Sequence, residues 1–235
     1  MIDQNSIAGS VSRRKFLGSG LRVGAAALLA GGVAGQLLSP SLYAQSKLTP
    51  DEALKELMDG NARFVAGKLS SFDHDLAILK EHTVDKQQPF AAVLSCADSR
   101  VPVELVFDQS IGHLFVSRVA GNVITPEIIG SLEYGIAVLG TPVIMVLGHA
   151  GCGAVKAAMK GVDVPGEISS LFPHIQPAVD SDPDHDLEKT IKANARIQAD
   201  LLRKSSPVVS EMVSGGKLKV VAGYYDLASG KVTMV

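Results

Sequence analysis

The sequence predicts an α/β fold with a mainly parallel central sheet flanked by helices. Three observations carry that prediction. Short apolar runs of strand length recur at 89–96, 114–119, 142–148 and 218–225. Segments with apolar residues at helical spacing and recognisable start signals lie among them. Strands that alternate with helices build a layered α/β core around parallel pairing.

Each element has its own warrant. Thr49-Pro50-Asp51-Glu52 is a helix start: Thr49 can cap, Pro50 suits the first helical position, and Glu52 can complete a capping box. That helix is predicted to reach about Ala66 and stop near Gly67, with Leu54, Leu57 and Val65 buried. Pro89 to Cys96 reads as a buried strand and Leu114 to Val119 as a second. Thr125-Pro126-Glu127 opens a helix carrying Ile128, Ile129, Leu132 and Ile136 at helical spacing. Pro142 to Gly148 is a third strand, and Gly153 to Lys160 a short helix. Asp184 to Lys204 is a polar-faced helix expected to turn Leu187, Ile191 and Leu201 inward, and Pro207 to Val213 follows as a short helix. Leu218 to Tyr225 and Lys231 to Val235 close the sheet around a turn at Ser229-Gly230.

The chain has 235 residues, of which 46% are hydrophobic and 20% charged, with a net charge of −2, an ordinary globular balance. After the leader there is no long basic run or interleaved aromatic series, so nucleic-acid binding is unsupported. Ser12-Arg13-Arg14-Lys15-Phe16-Leu17, a weakly apolar Gly/Ala-rich stretch from Val23 to Leu38, and Ser39-Pro40-Ser41-Leu42-Tyr43-Ala44 form the pattern of a twin-arginine export signal. Residues 1–44 are therefore expected to be a cleaved leader and 45–235 a single catalytic domain, exported to the periplasm. The apolar stretch is short for a membrane span, which needs about 20 residues, so no stable insertion is expected after cleavage.

Two motifs carry the chemistry. The chain has only two cysteines, one in Cys96-Ala97-Asp98-Ser99-Arg100 and one in His149-Ala150-Gly151-Cys152. Together they offer two thiolates, an imidazole and a carboxylate, a full tetrahedral set for zinc. Cys96 and Asp98 are spaced for an extended turn. His149 and Cys152, three apart, would share a face at a helix start. Each motif follows an apolar strand, and open α/β sheets gather their sites at the carboxyl ends of strands, so the two halves can meet. Arg100, two places after Asp98, suggests that the carboxylate has a second role. Twin-arginine systems move folded proteins, so a zinc site could be loaded before the chain reaches an oxidising compartment, where bound thiolates stay shielded.

These motifs resemble those of the β-class carbonic anhydrases. The likeness extends to Val101–Gln109, to 114–122 (Leu-Phe-Val-Ser-Arg-Val-Ala-Gly-Asn), to 130–134 (Gly-Ser-Leu-Glu-Tyr) and to 223–227 (Gly-Tyr-Tyr-Asp-Leu). It implies a β-carbonic-anhydrase-like fold and one Zn²⁺ per subunit held by Cys96, His149 and Cys152. It also implies reversible hydration of carbon dioxide to bicarbonate and a proton, with Asp98 and Arg100 at the fourth coordination position. Gln87, Phe115 and Tyr134 match positions that line the substrate pocket, partly across a dimer interface. Gly153 matches one where a backbone amide approaches bicarbonate. A homodimer or homotetramer is implied, with the helix from Pro50 embracing a partner. Some bacterial members carry a tryptophan and a glycine where this chain has Val93 and Ser95, so their form of bicarbonate regulation is not implied.

Taken alone, the residues leave alternatives open. The cysteines could be buried apolar thiols, or a disulfide if zinc is lost. Asp98–Arg100 could be a surface ion pair, and Phe115 and Tyr134 plain core or interface residues. His74, His82, His113, His174 and His185 read as surface histidines. A different substrate resembling carbon disulfide, or a non-enzymatic zinc-binding or redox-sensing module, are the competing functions.

Overall fold

The computed structural model describes residues 46–71 and 83–235, and the leader expected over 1–44 lies outside them, as do His74 and His82. Helix α1 (Pro50–Val65) starts with the predicted capping box: the Glu52 amide donates to Thr49 Oγ1 and the Thr49 amide to Glu52 Oε2. Five strands follow: β1 (Ala91–Ser95), β2 (Leu114–Arg118), β3 (Val143–His149), β4 (Lys219–Tyr225) and β5 (Val232–Met234). They form one sheet in the order β2-β1-β3-β4-β5, parallel throughout except for the antiparallel β4–β5 pair. The mainly parallel sheet is as the alternating pattern requires.

The connections are helical. They are α2 (Val103–Val106), α3 (Pro126–Glu133) continued by one π-helical turn over Tyr134–Val138, α4 (Gly153–Lys160), α5 (Phe172–Asp180), α6 (Leu187–Ser205) and α7 (Pro207–Ser214). Side chains that cap the starts of α3, α6 and α7 are Thr125, Asp186 and Ser206, each accepting from a backbone amide in the first turn.

The central strands β1 and β3 are buried on both faces. On one face Ala91, Val93, Met145 and Leu147 pack with Leu57 of α1 and Phe107; on the other Ala92, Leu94, Ile144 and Val146 pack with Leu132, Ala195 and Leu202. A third cluster caps the carboxyl end of the sheet and contains Cys96, Cys152, Val155, Ile175 and Ile191. Asn61 of α1 is buried. Its amide donates to the Val106 and Gly230 carbonyls and its oxygen accepts from the Val232 amide, tying the helix to the segment after β1 and to the β4–β5 hairpin.

Two inward residues are corrected. Val65 is 47% exposed and Leu201 37% exposed. At about 100° per residue, Val65 lies roughly 80° around α1 from Leu57, and Leu201 a similar angle around α6 from Ile191. Phe64 and Leu202 take the inward places instead. Helix α5 was not anticipated, because Pro177 inside it has no N–H to continue a helix and reads as a breaker.

Candidate metal centre

The site forms where two strands stop. Cys96 follows the last residue of β1, and His149 is the last residue of β3, which pairs with β1 directly. The chain leaving β3 turns at Gly151, whose left-handed backbone (φ 65°) suits glycine, and Cys152 sits immediately ahead of α4. The expectation that His149 and Cys152 share a helix face is thereby corrected. His149 is still in the sheet and Cys152 precedes the helix; the tight turn brings them together.

One ligand atom each from Cys96, His149 and Cys152 lie within 4.8 Å of one another, and all three residues are buried. The sulfurs are 4.0 Å apart. His149 Nδ1 is 3.0 Å from the Ala150 carbonyl oxygen. A carbonyl only accepts, so Nδ1 carries the hydrogen and Nε2 presents its lone pair to the sulfurs. Nε2 is buried without a hydrogen-bond partner. A buried orphan lone pair beside two thiols is the donor chemistry of a zinc site with three protein ligands, so these residues fit the ion.

The hydrogen bond from Cys152 holds the Cys96 thiol down to about 4; burial opposes this, while the Gly121 and Asp98 amides assist. The same contact, together with burial, pushes Cys152 up. The Gly121 N–H lies 3.4 Å from Cys96 Sγ and adds to the stabilisation of a thiolate there.

Asp98 lies beside the cluster, with Oδ2 3.9 Å from His149 Nε2. Its carboxylate is committed to Arg100: Nε donates to Oδ1 at 2.9 Å, Nη2 to Oδ2 at 2.7 Å, and the Arg100 amide to Oδ1 at 2.9 Å. Those guanidinium hydrogen bonds hold Asp98 well below the usual carboxylate range. Arg100 Nη2 also lies 3.5 Å from the Gly151 carbonyl, joining the two motif loops.

Sequence reasoning missed Arg118. From the end of β2 its Nε donates to the Cys96 carbonyl at 2.9 Å and its Nη2 to the Asp98 carbonyl at 2.6 Å. It clamps the backbone that carries the Cys96 thiol and the Asp98 carboxylate. Its targets are carbonyls, which carry no residue-type signal.

The structure brings Cys96, Asp98, Arg100, His149 and Cys152 together, with exposed Gly153 next to the last. It does not bring Gln87, Phe115 or Tyr134 to that place within one chain. Gln87 is exposed ahead of β1, at the opposite end of that strand from Cys96, and the strand alone spans roughly 15 Å. Phe115 pairs in register with Ala92, low on β1, and its ring centroid is 6.2 Å from that of Tyr134. Tyr134 is 43% exposed beside the edge strand β2. His113 and His185 are exposed and His174 half-buried.

Comparison with known proteins agrees with this geometry. The family model described as carbonic anhydrase matches residues 91–232. "Carbonic anhydrase 2" of Mycobacterium tuberculosis is 36% identical over 196 residues, covering 79% of this chain and 92% of that protein. The carbonic anhydrase of Mycolicibacterium smegmatis is 35% identical over 192 residues, covering 79% and 93%. Among solved structures, the β-carbonic anhydrase CcaA superposes with a TM-score of 0.63 at 26% identity, covering 77% of this chain and 86% of that one.

Proposed function

The chain belongs to the β-class carbonic anhydrases and is an enzyme of carbon dioxide hydration, and from that premise we propose that Cys96, His149 and Cys152 hold one zinc ion per subunit for it. The observation that carries this reading is the buried, unpartnered Nε2 of His149 facing two thiols. An ion held by those atoms would supply Lewis-acid activation of water. Asp98 accepts a hydrogen bond from the nucleophile and orients its lone pair toward carbon dioxide. Arg100 keeps that carboxylate ionised and aimed. Arg118 keeps the loop beneath it in place. The apolar wall of Val123, Val155 and Ile175 limits access by bulk water, and Gly153, without a side chain, leaves its amide open to bicarbonate. The products are bicarbonate and a proton released to buffer.

The proposal extends to assembly and location. Gln87, Phe115 and Tyr134 serve the site of a second subunit in a homodimer or homotetramer; their position away from Cys96 in their own chain supports this. Export through the twin-arginine pathway to the periplasm rests on the Ser12–Leu17 motif, and no helix among the described residues is long and apolar enough to cross a membrane.

Zinc content and stopped-flow carbon dioxide hydration on the purified protein test the centre. One zinc per chain with turnover is expected, and loss of zinc in Cys96→Ser. Protein that stays metal-free when offered zinc overturns the assignment. Co-expressing Gln87→Ala with Cys96→Ser chains is expected to restore activity in mixed oligomers; failure sinks the shared pocket. Replacing Arg13 and Arg14 by lysine is expected to block export; unchanged export sinks the localisation.

A further inference from the structure

Behind the cluster lies a turn that is costly to hold. Gly121 (φ 77°) and Asn122 (φ 47°) are consecutive left-handed residues, and Asn122 pays the steric penalty a side chain incurs there. A Cβ on Gly121 would stand 2.9 Å from Ile175 Cδ1 and 3.3 Å from Ala154 Cβ, so a side chain there would add crowding to the strained φ. What the distortion achieves is visible at its outer edge: the Gly121 N–H points at Cys96 Sγ, 3.4 Å away.

The turn is held from α6 by two fully buried amides. Asn194 Nδ2 donates to the Gly121 carbonyl at 2.9 Å. Gln198 Oε1 accepts from the Ile124 amide at 2.8 Å, and Gln198 Nε2 donates to Asn194 Oδ1 at 3.2 Å and to the His174 carbonyl at 2.8 Å. Asn194 and Gln198 are 1% and 0% exposed, on a helix whose other inward residues are largely small or apolar. Two amides are an expensive way to fill a helix–sheet interface that alanine and leucine would fill unaided, so their hydrogen bonds are the reason for them.

We propose that Asn194, braced by Gln198, is a positioning residue for the metal centre: it fixes the 119–124 turn so that the Gly121 amide donates to the Cys96 thiolate. A donated N–H holds a ligating sulfur in one orientation and withdraws electron density from it, and outer partners of this kind typically contribute about 10–100-fold to metal affinity. The inference rests on the zinc reading above and extends it to a residue 98 positions from Cys96, on a helix that supplies no ligand.

The test uses the full chain, with Zn²⁺ and Co²⁺ as probes. Zinc affinity is measured by chelator competition below the unfolding transition, and the thiolate-to-cobalt charge-transfer band by absorption. Asn194→Ala is expected to weaken zinc binding about tenfold. It is also expected to move the cobalt band to longer wavelength, because a sulfur that loses its N–H donor gives up an electron more easily. Ala199→Gly, in the same helix but away from the turn, is expected to lower Tm and leave both readings at wild type. Asn194→Ser carries the same test should Asn194→Ala not fold, with the same direction in both readings. Wild-type affinity and band position in the Asn194 variants overturn the proposal, as does an equal change in Ala199→Gly. Failure of the wild-type chain to bind either ion overturns the zinc reading itself.

Discussion

Two aspartate–arginine pairs in this protein are chemically alike and built differently. Asp98 is held by Arg100, and Asp108 by Arg63; both carboxylates are held below their usual range. Asp108 has a side chain with no exposed surface, in a left-handed backbone position (φ 46°). It accepts from five donors on three residues: Arg63 Nε at 2.5 Å, and the amide and hydroxyl of both Ser70 and Ser71. Among the described residues, the Asp98 carboxylate accepts only from Arg100, whose side chain is 55% exposed. A carboxylate pinned from several elements has nowhere to go. One pinned by a single solvent-facing residue, beside the Cys96–His149–Cys152 cluster, is free to turn. The first arrangement fixes a fold; the second suits a group that must interact with something that comes and goes.

Removing each aspartate separates these roles most sharply. Asp98→Ala is expected to keep its zinc and its unfolding midpoint while carbon dioxide hydration falls at least about a hundredfold, the scale of a lost positioned acceptor. Stopped-flow rates on metal-quantified protein check this. Full activity in that variant would place Asp98 among ordinary surface pairs.

Asp108→Asn should do the reverse. Burial pushes the Asp108 carboxyl up, but the combined donation from Arg63, Ser71 and Ser70 outweighs it. An amide put there cannot accept from all five donors, so a stability loss of about 2 kcal/mol is expected at pH 7, softened because Arg63 remains one-third exposed. Turnover per folded molecule should be unchanged. A depressed carboxyl contributes stability that is present above its unfolded pKa of about 3.9 and is lost as pH falls toward the folded value. The gap between wild type and Asp108→Asn in urea midpoints should therefore hold from pH 7 down to about 4 and shrink below it. A gap that widens in acid contradicts the ledger of donors.

The two pairs also differ in how legible they are. Asp98 and Arg100 are two residues apart, inside a motif whose cysteine already signals a metal. Arg63 and Asp108 are 45 apart, and nothing in either neighbourhood advertises the other. The same divide runs through the whole chain. Strand runs, helix starts at Thr49 and Thr125, and the cluster residues Cys96, His149 and Cys152 are local patterns, and the sequence displays them. Leu202 rather than Leu201 faces inward because of a rotation about a helix axis that apolar content alone does not fix. Arg118, Asn194 and Gln198 act on backbone carbonyls and amides, which every residue has, so no spacing of residue types reveals them.

Arg118 tests whether Asp98 is as poorly anchored as its side-chain contacts suggest. Its two hydrogen bonds to the Cys96 and Asp98 carbonyls constrain the backbone, not the carboxylate. If the backbone clamp is what keeps the Asp98 turn in register, Arg118→Ala should lower kcat about tenfold, in keeping with two bonds of ~1 kcal/mol each only partly recovered by water. KM should change little, because neither bond touches substrate. Arg118→Lys supplies one donor where two are needed and should fall between. A change confined to KM would assign Arg118 to substrate instead.

The smallest effect is the most discriminating. Ser71→Ala removes one hydroxyl donor, at 2.8 Å from Asp108 Oδ1, and leaves the Ser71 amide, both Ser70 donors and Arg63 in place. If redundancy is what makes Asp108 immobile, losing one donor of five should lower stability by only about 0.5–1 kcal/mol, well short of Asp108→Asn, with hydration kinetics untouched. Urea midpoints for the two variants measured side by side give the ratio. A loss as large as that of Asp108→Asn would mean that a single hydroxyl holds the carboxylate. Asp108 would then be as singly tethered as Asp98, and only its burial would separate the two.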